Sequence, residues 1–130
     1  MTRNFVFGSP STEYLNKFQL LYEAQTQTLQ KYLPGQNIGE TEIFCREMLG
    51  VEEPFFSHSL GHGVGIEIHE LPTVSNRSMK MDVFHRDEVV TCEPGLYYPG
   101  RFGIRIEDLV VIDAKTPKIL SKTPRKLIYL

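Results

Sequence analysis

Cysteine is scarce: the 130-residue chain has two, Cys45 and Cys92. Neither has a CxxC partner, which argues against a disulfide framework and against thiolate ligation of a metal. The expectation is two inert or buried thiols in a reducing compartment. Long apolar runs are missing as well. None approaches the roughly 20 residues that cross a bilayer, so no membrane partner is expected. Met1-Thr2-Arg3-Asn4-Phe5 carries no basic stretch ahead of an apolar one, so a secretory signal is not expected and the cytoplasm is the default. Charge of one sign does not accumulate either: 14 Lys and Arg stand against 16 Asp and Glu, a net −2. Without a basic stripe, nucleic acid is not an expected partner. The basic cluster Lys118, Lys122, Arg125 and Lys126 reads as a solvated face. Repeats, low-complexity tracts and linkers are absent, and the length suits one domain with a modest core.

What is present divides in two. Phe5-Val6-Phe7 is a short strand candidate, closed by Gly8-Ser9-Pro10. Ser11 or Thr12 can cap a helix in which Leu15, Phe18, Leu21, Tyr22, Leu29 and Leu33 recur at helical spacing, with Pro34-Gly35 as its stop. A shorter helix is expected over about Thr41–Met48, with Ile43, Phe44 and Met48 inward and Gly50 ending it. Beyond Pro54 the pattern changes. Phe55–Ile68, with Gly61, Gly63 and Gly65, reads as irregular and extended. Asp87–Cys92 reads as a strand ended by Glu93-Pro94-Gly95, Gly103–Asp113 as the clearest strand, and Lys118–Ser121 as an edge. Helices first and mostly antiparallel strands after make the chain α+β.

Unusual residues gather in the strand-rich part. Along the expected strand Gly103–Asp113, period-2 geometry puts Arg105, Glu107 and Leu109 on one face and Ile104, Ile106, Asp108 and Val110 on the other. Such a strand either faces solvent or lines a polar site, and Glu107 alone favours solvent. Val89, Thr91 and Glu93 likewise share a face, and Pro94-Gly95 ends regular pairing beside Glu93, where a bulge can re-aim a side chain. Paired with a second inward carboxylate, Glu93 becomes a candidate. His58, His62 and His69 supply nitrogen donors, three of the four histidines within twelve positions; His85 reads as surface. The glycines around His62 argue against a helix there and for close backbone approach. His69-Glu70 is not a zincin motif, because Thr73 stands where the second histidine would be. Imidazole with carboxylates suits a first-row transition metal such as manganese, cobalt, iron or zinc.

Three strings carry a resemblance: His58-Ser-Leu-Gly-His-Gly-Val-Gly, Val90-Thr-Cys-Glu-Pro-Gly-Leu-Tyr, and Phe102-Gly-Ile-Arg-Ile-Glu-Asp. In this order and spacing they resemble the signature stretches of pita-bread metallopeptidases, prolidase and aminopeptidase P above all. The resemblance covers almost the whole chain. It implies half of a pita-bread fold, two helices packed on a mostly antiparallel curved sheet, with residues 1–130 as the C-terminal part of the catalytic domain. It also implies His62, Glu93 and Glu107 as metal ligands in a site for two divalent ions, manganese first and cobalt, zinc or iron as alternatives. Glu107 would bridge the metals, and Glu93 would bind one while steering the proton of a shared hydroxide. His58 and His69 would act on substrate, one orienting it and the other bonding to the scissile peptide or its tetrahedral intermediate. Arg105 would pair with acidic groups of the site or with the substrate terminus. The implied substrate is a proline-containing peptide cut before proline, and Tyr98-Pro99-Gly100-Arg101-Phe102-Gly103 leans toward the prolidase type.

The resemblance also marks an absence. The family site has two further aspartates on a preceding hairpin. Thr2-Arg3-Asn4-Phe5 is similar to the string that follows the second of them, so that aspartate would stand just before Met1. The expectation is a fragment with weak or partial metal binding, lost peptidase activity, and an exposed apolar edge that favours a homo-oligomer. The rival expectation is a non-catalytic binding or oligomerisation module derived from the same fold.

Overall fold

The computed structural model describes residues 1–130. Helix α1 spans Thr12–Leu29, and the Ser11 hydroxyl caps it by accepting from the Tyr14 N–H at 3.1 Å. Its buried face is Phe18, Leu21, Ala24, Gln25, Thr28 and Leu29, so two polar residues enter the core and Leu15 stays at the surface. The helix ends before the expected Pro34-Gly35 stop, because Tyr32 leaves the helical path to stack in the core on Phe84, centroids 4.9 Å apart. Helix α2, Ile38–Leu49, starts earlier than expected because Asn37 caps it, accepting from Glu40 N–H at 2.8 Å. Gly50, at φ +56°, ends it as anticipated. Its inward face is Ile38, Thr41, Glu42, Cys45 and Leu49 rather than Ile43, which is exposed. Glu42 can turn inward because Arg46 and the backbone N–H groups of Leu60 and Asn76 satisfy its carboxylate. A 3-10 turn, Gly50–Phe55, follows.

The strands are β1 Phe5–Val6, β2 Gly61–Gly63, β3 Glu70–Val74, β4 Val89–Cys92, β5 Gly95–Tyr98, β6 Phe102–Arg105, β7 Asp108–Val111, β8 Lys118–Ile119 and β9 Ile128–Tyr129. A five-stranded antiparallel sheet runs β3-β2-β4-β7-β8, beside the hairpin β5-β6 and a small parallel pair, β1-β9. The single strand expected over Gly103–Asp113 is two. Its first part pairs with β5 and its second with β4, because Pro94 has no N–H to give the ladder and the two chains part there. Inward-outward alternation nevertheless survives the break: Ile104, Ile106, Asp108, Val110 and Ile112 are buried, and Arg105, Glu107 and Leu109 are not.

Both helices pack on these strands around one apolar core that includes Leu21, Leu49, Val90, Cys92 and Ile106. Cys45 and Cys92 are free and buried, and burial pushes the Cys45 thiol up to about 11, as inert thiols should be. The basic cluster is only partly a solvated face. Arg125 folds inward, donating to Gln25 Oε1 at 3.1 Å, with Nε 3.7 Å from Asp108 and its guanidinium over the Tyr22 ring. No helix is long and apolar enough to cross a membrane.

Candidate metal centre

Strand β2 runs between β3 and β4 at unusually close range. A Cβ on Gly61 would lie 2.0 Å from Thr91 O, and one on Gly63 would lie 2.1 Å from Leu71 O; the glycines around His62 therefore permit close backbone approach. The β2–β3 register slips between His62 and Gly63, and the loop beyond swings His69 back until its ring centroid is 4.4 Å from that of His62.

His62 is held from both ends. Its N–H donates to Thr91 Oγ1 at 3.0 Å, and its Nδ1 lies 2.9 Å from Gly63 O, which places a proton on Nδ1. Nε2 then faces Glu93 Oε1 at 3.2 Å. Thr91 Oγ1 also donates to that same carboxylate oxygen, at 2.9 Å. With Nδ1 protonated, Nε2 and Oε1 are both acceptors unless a cation accompanies them, either a proton on Nε2 or a metal ion.

Glu107 sits between β6 and β7. Its Oε2 accepts from the Thr2 hydroxyl at 2.5 Å, and its Oε1 is 3.2 Å from the Met1 ammonium. Burial opposes ionisation, but the Thr2 hydrogen bond, the Met1 amino group and Arg105 outweigh it and lower the Glu107 pKa. Arg105 spans the carboxylates, with Nη1 3.9 Å from Glu93 and Nη2 3.8 Å from Glu107. His58 lies at the rim, its Nδ1 2.8 Å from Ser59 O, so the Tyr97 hydroxyl donates to its Nε2 at 2.9 Å.

All six expected residues thus fall in one region. A cavity of about 870 Å³ is lined by His58, His62, His69, Glu93 and Arg105. An adjoining one of about 660 Å³ adds Glu107. The donor chemistry fits a divalent ion: a tethered imidazole with Nε2 free, and two carboxylates. Yet no three His, Cys, Asp or Glu side chains form a ready-made ion-binding group, and the Glu107 carboxylate is engaged by Thr2 and Arg105. Tyr97 and Thr2, which hydrogen-bond His58 and Glu107, are residues that sequence reasoning passed over, and Thr91 was placed only on the Glu93 face, without its two hydrogen bonds. Alternation could not reach Tyr97, because the strand that carries Thr91 ends at Cys92 and a new one begins at Gly95; Thr2 left no periodic signal.

A model of metallopeptidase family M24 matches residues 1–114. The chain belongs to that family. Among M24 relatives it is 39% identical to the Xaa-Pro dipeptidase of Pyrococcus furiosus, across 98% of this chain and 37% of that protein. It superposes on the X-Pro aminopeptidase of Thermotoga maritima with a TM-score of 0.92 at 35% identity, covering 98% of this chain and 36% of that one. The prolidase of Pyrococcus horikoshii gives 0.91 at 38%, covering 97% and 36%. The 130 residues therefore carry the pita-bread fold over little more than a third of the length of the M24 proteins they match.

Proposed function

We propose that these residues furnish the His62, Glu93 and Glu107 side of a two-metal peptidase centre that hydrolyses the bond before proline in Xaa-Pro dipeptides or longer peptides. One observation carries the reading: His62 Nε2 and Glu93 Oε1 face each other at 3.2 Å while Nδ1 is committed to Gly63. Manganese is the first candidate, with cobalt, zinc and iron behind it. A bound pair of such ions supplies activated water and polarises the scissile carbonyl. Within the chain, Thr91 and Gly63 hold the two donors in place, and Arg105 offers positive charge to a substrate carboxylate. His58 and His69, which both line the larger cavity, contact substrate, one orienting it and the other donating to the peptide or the tetrahedral oxyanion.

On this reading the 130 residues alone lack the two aspartates that the family resemblance implies. The chain by itself binds Mn²⁺ weakly and does not turn over. Calorimetric titration with Mn²⁺, together with an Xaa-Pro dipeptide hydrolysis assay, tests both parts. Binding that H62A and E93Q each abolish supports the ligand assignment, and binding indifferent to both sinks it. Rapid turnover by the chain alone would overturn the incompleteness. Exposed Ile66, Leu71 and Met81 near edge strand β3 support self-association, which sedimentation velocity would detect.

A further inference from the structure

Gln25 is a polar residue of α1 with no solvent exposure, and it touches no cavity of the candidate centre. A buried primary amide is costly unless its donors and acceptor are all used. Here they are. Nε2 donates to Cys92 O and to Ile106 O, both at 3.0 Å, with Asp108 Oδ2 at 3.4 Å, while Oε1 accepts from Arg125 at 3.1 Å. Two carbonyls on one side and a guanidinium on the other permit only this orientation of the amide.

The identity of those carbonyls matters. Cys92 immediately precedes Glu93, and Ile106 immediately precedes Glu107, so each carbonyl shares a rigid peptide plane with the N–H of a proposed ligand. The opposite edges of the planes are also held: Glu93 N–H donates to Leu60 O at 2.8 Å, and Glu107 N–H to Thr2 O at 3.3 Å. Sheet pairing does not hold the two together. The β4–β7 ladder ends at Cys92 opposite Asp108, and the next matched pair, Gly95 opposite Arg105, belongs to the other hairpin. In the gap between them a long bond from Ile106 N–H to Pro94 O, 3.3 Å, leaves room for slack.

We propose that Gln25 is a positioning residue: one side-chain amide pins the two peptide planes that carry Glu93 and Glu107, and so sets the separation of their carboxylates. The inference rests on the ligand assignment proposed above, but part of its test does not. Substitution of the partner that orients a ligand costs about 10- to 100-fold in metal affinity.

The test compares Q25M, close in shape but unable to hydrogen-bond, with T28V, which removes a buried hydroxyl bonded to Ala24 O on the same helix and away from the centre. Both variants lower Tm. Only Q25M weakens Co²⁺ binding by about tenfold or more and alters the visible spectrum of the bound Co²⁺. Equal affinity and an unchanged spectrum in Q25M overturn the proposal. If the unsubstituted chain binds no Co²⁺, the ligand assignment fails, and amide hydrogen exchange decides on Gln25 alone. Faster exchange at Glu93 and Glu107 in Q25M, beyond that in T28V, supports the pinning role, and unchanged exchange overturns it. Q25N, whose amide is drawn back by one methylene, serves in the same comparison should Q25M fail to fold.

Discussion

At the residue scale, one hydroxyl organises the proposed centre. Thr91 accepts from the His62 N–H and donates to the Glu93 carboxylate, and it is almost fully buried. T91V keeps the shape and removes both bonds, leaving the part-buried His62 N–H without its partner at a cost of about 1 kcal/mol. The expected outcome is a lower urea midpoint together with metal binding weakened by about tenfold or more, read by denaturation and calorimetry on the same protein. A variant that loses stability but binds metal normally would mean that Thr91 supports the sheet and not the ligands. Thr91 was half legible in the sequence, since alternation placed it on the Glu93 face. That its hydroxyl also caps the His62 backbone depends on β2 lying against β4, a pairing between positions far apart along the chain.

At the scale of elements, the 3-10 turn after α2 ties the helices to the hairpin. Glu52 Oε1 receives Lys17 of α1 at 2.6 Å, and its Oε2 receives the Tyr98 hydroxyl of β5 at 2.6 Å. The hydrogen bonds from Lys17 and Tyr98 lower the Glu52 pKa from its ordinary 4.5, against a smaller opposing effect of burial. A lowered folded-state pKa means that the unfolded chain takes up the proton first as pH falls. The stabilisation is therefore complete above about pH 4.5 and is lost as pH falls through the lower folded value. E52Q is expected to cost about 1 kcal/mol at pH 7, with the gap to the unsubstituted protein closing below pH 4.5. Urea titrations at a series of pH values check this; a gap independent of pH would show that packing, not charge, is what Glu52 contributes.

Across the whole molecule, the two ends of the chain meet at a buried carboxylate. Asp108, with no solvent exposure, lies 2.6 Å from Arg3 near the N-terminus and 3.7 Å from Arg125 near the C-terminus. Arg3 also donates to Glu107 O at 2.7 Å and to Thr123 O. Removing one member of such a cluster strands the others without a counter-charge. D108A is expected to destabilise by about 3–5 kcal/mol, measured by thermal or urea unfolding. A loss below about 1 kcal/mol would show that water reaches the arginines and replaces the carboxylate.

The sequence alone determined what depends on near neighbours. The helix start at Ser11-Thr12, the stop at Gly50 and the inward-outward alternation from Ile104 to Val110 are local signals, set by backbone geometry within a few residues, whereas His62, Glu93 and Glu107 stood out only through the resemblance that three separate strings carry together. Tertiary structure decided what depends on distant partners. It split the strand over Gly103–Asp113, since where a strand breaks depends on the Pro94 chain beside it. It turned Ile43 outward and Glu42 inward, since a carboxylate can be buried only where Arg46 and distant N–H groups meet it. It also placed Gln25 between Cys92 and Ile106, since hydrogen bonds that cross 67 and 81 positions leave no periodic trace along the chain.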